Sequence, residues 1–125
     1  MIWTFTLPCV TPSGNEVLDW QAHSPHKLAN QKKKWFLIVS HFAHMVKLRR
    51  LEEGEKQKRR VLVTRFGSRL LDVGNLALGM DKLILDNLVH GCWLYDDRPE
   101  FCDFIPKQEK CKRSDERTVV ELSEL

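Results

Sequence analysis

The sequence predicts an α/β protein of the α+β type, a small mixed β-sheet packed by two main helices. Three observations carry this. At 125 residues the chain is one domain by length, residues 1–125, long enough to bury about two-thirds of its unfolded surface around a single core. Short stretches rich in β-branched and aromatic residues alternate with two long stretches whose apolar residues recur at three- and four-residue steps. Their order, strand, helix, strand, helix, strand, strand, calls for a sheet with helices laid on it.

The first strand is "IWTFTL", residues 2–7, with Trp3, Phe5 and Leu7 on one face. From Pro8 to Pro25, three prolines, a glycine and short polar residues predict an irregular, turn-rich loop. Ser24-Pro25 starts a helix expected to reach Leu51, with Trp35, Ile38, Val39, Phe42, Met45, Val46 and Leu48 as its buried stripe. "RRLEEGEKQKRR", 49–60, is a charged turn with Gly54 as breaker, and "VLVTRF", 61–66, a second strand. A second helix spans about Val73 to His90, with Asp72 as N-cap and Gly91 as a left-handed C-cap. "EFCDFI" at 100–105 and "TVVEL" at 118–122 close the sheet, and residues 107–117 read as a flexible connector.

No apolar run approaches the ~20 residues of a membrane-spanning helix, and Met1–Leu7 lacks the basic start and long apolar core of a signal peptide. A cytoplasmic protein without membrane contact is expected. Cys9, Cys92, Cys102 and Cys111 form no Cys-x-x-Cys pair, so free, mostly buried thiols are expected in place of zinc or redox chemistry. No glycine-rich phosphate loop or Ser-His-Asp signature appears.

Charge is segregated. Residues 1–70 hold 13 Lys+Arg against 5 Asp+Glu, and residues 71–125 hold 7 against 12, within a net charge of +3. One part of the chain suits a polyanion and the other a cation, with solvated surface charge as the plainer alternative. Five aspartates, 72, 81, 86, 96 and 97, fall between residues 70 and 97. On a wheel of 100° per residue, Asp72, Asn75, Gly79, Lys82 and Asp86 share one narrow stripe beside the apolar face. Adjacent Asp96 and Asp97 oppose each other's ionisation, which a hard cation, Mg²⁺ or Mn²⁺, relieves. Asp72, Asp86, Asp96 and Asp97 are the candidate ligands, and an N-cap, a Lys82–Asp86 pair and an acidic turn are their structural counterparts.

Four stretches carry a resemblance: "LPCVTPSGNEVLDWQAHSPHKLANQKKKW", with a Pro-Ser-x-Asn turn at Pro12–Asn15; "RRVLVTRFGSRLLDVGNL", a strand into an Asp-x-Asp-Asn-like motif; "KLILDNLVHGCWLYDDRPEF", a helix ending in an Asp-Asp pair; and "RTVVEL", a closing strand. In this order the chain resembles the RusA family of Holliday junction resolvases, particularly its phage-type members. The resemblance implies a single RusA-like endonuclease domain that cuts four-way DNA junctions by paired symmetric nicks, as a homodimer, with a divalent metal. It implies Asp72 and Asp97 as metal ligands and catalytic groups, Asp96 and Asp86 as further ligands, and Lys82 as catalytic lysine, offset by about one residue from the family's spacing. The two motif asparagines, Asn15 and Asn75, join Lys27, Lys32, Lys33, Lys34, Arg59, Arg60, Arg65 and Arg69 as candidate nucleic-acid contacts. Gly74 stands where the pattern has its second aspartate. The alternative is therefore a weak or silent relative that binds junctions without cutting them.

Overall fold

A computed structural model describes residues 1–125. Strands β1 (Ile2–Leu7), β2 (Arg59–Gly67), β3 (Cys102–Lys110) and β4 (Arg117–Glu124) form one sheet in the order β1-β4-β2-β3. β4 is antiparallel to both β1 and β2, whereas β2 and β3 run parallel, joined by a helical crossover as parallel neighbours require. The mixed sheet of the α+β class is thus the architecture.

Strand alternation places Trp3, Phe5, Leu7, Val61, Val63, Val120 and Leu122 on one face, where they meet Trp35, Val39, Leu76, Met80, Leu83, Ile84 and Leu88 from the helices in a single core. On the opposite face Thr4 and Thr6 are exposed, and Arg60 pairs with Asp103 at 2.7 Å. Helices cover one side only.

Those helices are α1 (Gly14–His23), α2 (Pro25–Met45) and a continuous rod made of α3 (Val73–Met80), a π-helical segment (Asp81–Leu85) and α4 (Asp86–His90). α1 lies where the proline-rich composition predicts an irregular loop. Ser13 caps it, its side chain accepting from Glu16 N at 3.2 Å. Its inward residues are Val17 and Gly14, too few to mark a helical period, and its stability comes from contact with α3. Glycines make that contact flush: a Cβ on Gly79 would run into the Pro12 carbonyl, and one on Gly14 would press on Leu78.

α2 ends six residues before the expected Leu51. Lys47 takes a left-handed φ of 56°, its N–H bonds the His44 carbonyl at 3.0 Å and Leu48 N–H bonds Ala43 O at 2.9 Å, a Schellman closure that buries Leu48. The third helix closes the same way, with Cys92, not Gly91, in the left-handed region at φ 65°. Cys92 N bonds Val89 O at 3.1 Å and Trp93 N bonds Leu88 O at 3.0 Å. Gly91 is instead a steric requirement, because a Cβ there would enter the Trp93 ring.

β3 is longer than expected. Residues 107–110, assigned to the connector, continue the parallel ladder opposite Thr64–Gly67, and a 3₁₀ turn at Arg113–Asp115 occupies part of the remainder. As an edge strand β3 keeps exposed Lys107, Glu109 and Lys110, which hides its alternation. Gln108 holds the edge to the crossover, accepting from Leu71 N at 2.9 Å and donating to Leu71 O at 2.6 Å. All four cysteines are free, but only Cys102 is buried: Cys9 and Cys111 are half-buried and Cys92 is exposed. No helix is long and apolar enough to cross a membrane.

Candidate metal centre and basic helix

The third helix starts at Asp72, whose carboxylate accepts from Asn75 N at 2.9 Å and Asn75 Nδ2 at 2.8 Å. Asn75 Oδ1 in turn accepts from Asn15 N at 3.0 Å, so the two motif asparagines tie the starts of α1 and α3 together. Nine residues after Asp72, at Asp81, the helix widens, and Asp86 N–H reaches back to Asp81 O across five residues. In an α-helix such residues lie ~140° apart around the axis. The wider π turn brings them onto one side, so Asp81 and Asp86 face the same space.

Asp97 completes the group. Buried Trp93 and Leu94 anchor the chain after α4, with Leu94 N bonding Leu88 O at 3.2 Å, and the following turn swings Asp97 over the rod. Carboxylate oxygens of Asp81, Asp86 and Asp97 all lie within 4.8 Å of one another. Asp96 borders the group without joining it, accepting from its neighbour's amide, Asp97 N, at 2.7 Å and from Arg98 Nε at 2.7 Å.

Electrostatics follow from this crowding. Burial, then the charges of Asp86 and Asp97, push the Asp81 carboxyl up to about 6, with Lys82 opposing. Asp97 is also raised, by burial first and then by its hydrogen bond and charge contact with Asp96. Asp96 goes the other way because Arg98 bonds its charged form. Three close carboxylates, two of them reluctant to ionise, match the hard oxygen donors that Mg²⁺ or Mn²⁺ takes.

The structure therefore regroups the expected ligands. Asp86 and Asp97 come together, but with Asp81 and not with Asp72 or Asp96. Asp72 lies about 13 Å up the helix axis from Asp81 at 1.5 Å per residue, too far to share an ion with it. Asp81 was hidden because a regular helical wheel sets it across the axis from Asp86; only the extra residue of the π turn aligns them. Gly74 is exposed, and a Cβ there would meet only Asp72 Oδ1, at 3.6 Å. Gly74→Asp is expected to leave Mn²⁺ affinity within twofold of the parent in calorimetric titration, since the new carboxylate joins Asp72 and not the triad.

Of the basic candidates, Lys32 sits at the acids, its Nζ 3.2 Å from Asp86 Oδ2, replacing the i,i+4 partner Lys82. Lys82 is half-buried beside Asp81. Asn87, buried and absent from the sequence-based candidates, fixes the approach of α2 by donating to Lys32 O at 3.2 Å and Leu83 O at 2.8 Å. Lys27, Lys33, Lys34 and Arg69 are exposed, and Lys27 lies over the Trp20 ring at 5.3 Å. Arg60 is exposed on the far side of the sheet.

Arg59 and Arg65 are corrections: both point inward from β2 and are unavailable to DNA. Arg59 is fully buried, donating to Trp93 O at 2.7 Å and Arg49 O at 2.9 Å and pairing with Glu124 at 3.4 Å. Arg65 donates to Thr11 O and Arg69 O, each at 2.9 Å. Inward arginines at both ends of the strand obey the same alternation that buries Val61 and Val63. No protein-family model matches the chain, and no curated protein matches it in sequence.

Proposed function

We propose that the protein is a divalent-metal-dependent endonuclease that resolves four-way DNA junctions, acting in the cytoplasm as a homodimer. The observation that carries this reading is the triad Asp81, Asp86 and Asp97 with a basic helix at its border, joined through the Lys32–Asp86 pair. Acids to hold a cation and lysines to hold a phosphate backbone stand side by side. The RusA resemblance supplies the substrate class.

Asp81, Asp86 and Asp97 would hold the cation, Mg²⁺ or Mn²⁺, which when bound polarises a phosphate and acidifies water. With the Asp81 carboxyl raised to about 6, a cation would have to displace its proton at lower pH, so metal affinity would rise with pH through about 6. Lys82 stabilises charge developing on the phosphate from the helix side. Lys27, Lys33, Lys34 and Arg69 neutralise neighbouring phosphates and draw the duplex arms onto α2 and the β2–α3 turn. Two copies related by a two-fold axis present two such centres to opposite strands.

Incubation with an end-labelled four-way junction and Mg²⁺ or Mn²⁺ tests the proposal: paired nicks are expected, and none in EDTA. Binding without nicking at either metal favours the second reading, a silent junction binder. The commitment of Asp72 to Asn75 and the absence of a carboxylate at Gly74 support that alternative. For affinity, each neutralised phosphate contributes a slope of about −0.9 in log K against log salt. Lys33→Ala is expected to make that slope shallower by about 1, read by fluorescence anisotropy from 50 to 300 mM salt.

A further inference from the structure

Beside the acid triad, α2 and α4 enclose an open cavity of about 570 Å³, within the size range of small-molecule sites. It is lined by Lys32, Lys33, Phe36, Leu37, Asp86, Asn87 and His90. One side is aromatic: the Phe36 and His90 rings meet edge to face, centroids 4.9 Å apart and planes at 75°, forming a corner. Leu37, 70% exposed, forms an apolar rim in an otherwise polar surface. Lys32 and Lys33 make one wall cationic.

A second, shallower depression lined by Asp86, Val89, His90, Asp96 and Asp97 shares Asp86 and His90 with the first. The two form one trough, apolar and basic at one end and acidic at the other. A packed core has no use for an exposed leucine over a half-open aromatic corner, and a purely electrostatic duplex track has no use for the corner either. Flat, apolar on its faces and negatively charged at its backbone, an unstacked nucleotide complements the aromatic corner and the basic wall, and its phosphate would meet the acidic end through a cation held there.

We propose that this cavity seats one unstacked nucleotide of a single DNA strand, its base against Phe36 and His90, its phosphate against Lys33, and the adjoining phosphate directed to the acid triad. This rests on the nuclease reading for the identity of the strand. A base that is already single-stranded reaches such a site at the lowest cost, because no pairing partner has to be displaced.

The test uses a single-stranded pentanucleotide with 2-aminopurine at its centre, titrated with the full chain and Ca²⁺ in place of Mg²⁺, and followed by fluorescence. A saturable quench is expected. Leu37→Glu and Lys33→Glu each weaken it at least tenfold, whereas Lys107→Glu, exposed on β3, matches the parent. Leu37 and Lys33 are exposed, and circular dichroism melts confirm that the variants are folded. No quench, or a Leu37→Glu affinity within twofold of the parent, overturns the proposal. Nicking of a four-way junction with Mn²⁺ by the same preparations separates the two ideas. A quench without nicking sustains the pocket and removes the nuclease reading; nicking without a quench removes the pocket alone.

Discussion

Asp97→Asn abolishes metal-dependent nicking of a four-way junction and leaves junction binding within about twofold of the parent. The expected loss is at least ~10³-fold in single-turnover rate, comparable to removing a central charge-stabilising group. Asp97 is the one acid of the triad from the turn beyond the helix, so its loss opens the group without touching the core. Asp81→Asn has the same effect on nicking but adds a thermodynamic signature. The Asp81 carboxyl titrates at about 6 in the fold against an ordinary 3.8, so between those values the folded chain binds the proton that the unfolded chain releases. That contribution to stability is present below pH 4 and is lost as pH rises through 6. Metal-free Asp81→Asn is therefore more stable than the parent at pH 7.5, by about 1 kcal/mol after solvent screening, and gains nothing at pH 4. Thermal melts at the two pH values read the difference. Equal melting temperatures at pH 7.5, together with retained nicking, would remove Asp81 from the centre.

Arg59→Ala is expected to cost about 2–5 kcal/mol in urea unfolding, on the scale of about 1–3 kcal/mol for each buried carbonyl that loses its donor. The guanidinium binds the Arg49 and Trp93 carbonyls and Glu124, and it lies 5.1 Å over the Trp3 ring, so it joins the end of α2, the turn after α4, and strands β1 and β4. Alanine leaves the two carbonyls without this donor, whereas Glu124 keeps Arg49. Junction affinity of the folded fraction stays unchanged, whereas Arg69→Ala, exposed, weakens binding severalfold without loss of stability. A stable Arg59→Ala protein with weakened DNA binding would return this residue to the surface.

The sheet and the long helices are legible in the sequence because hydrophobic period reports burial directly: "IWTFTL" and "VLVTRF" alternate, and Trp35, Val39 and Ala43 recur at helical steps. α1 is not, since two inward residues and a serine cap carry no period and its partner, α3, is 60 residues away in sequence. The end of β3 is hidden by edge-strand polarity. At the candidate site, the acids are visible as a concentration of charge but not as a set. Asp86 and Asp97 are foreseen; Asp81 replaces Asp72 because a wheel of constant pitch has no place for a π turn. Arginines 59 and 65 look like surface cations to composition and like core residues only to strand parity.

That π turn makes the acid group a property of chain length as much as of residue type. At regular α pitch the five residues from Asp81 to Asp86 would set the two acids ~140° apart, so the wide turn has to absorb the extra residue. Deleting one residue between Lys82 and Leu85 would leave the two acids an i,i+4 pair ~40° apart on a regular helix, still on one side, with Asn87 and His90 still turned toward α2. The wide turn thus works as slack in the rod: it takes up one residue of length and lets both halves keep the face they share.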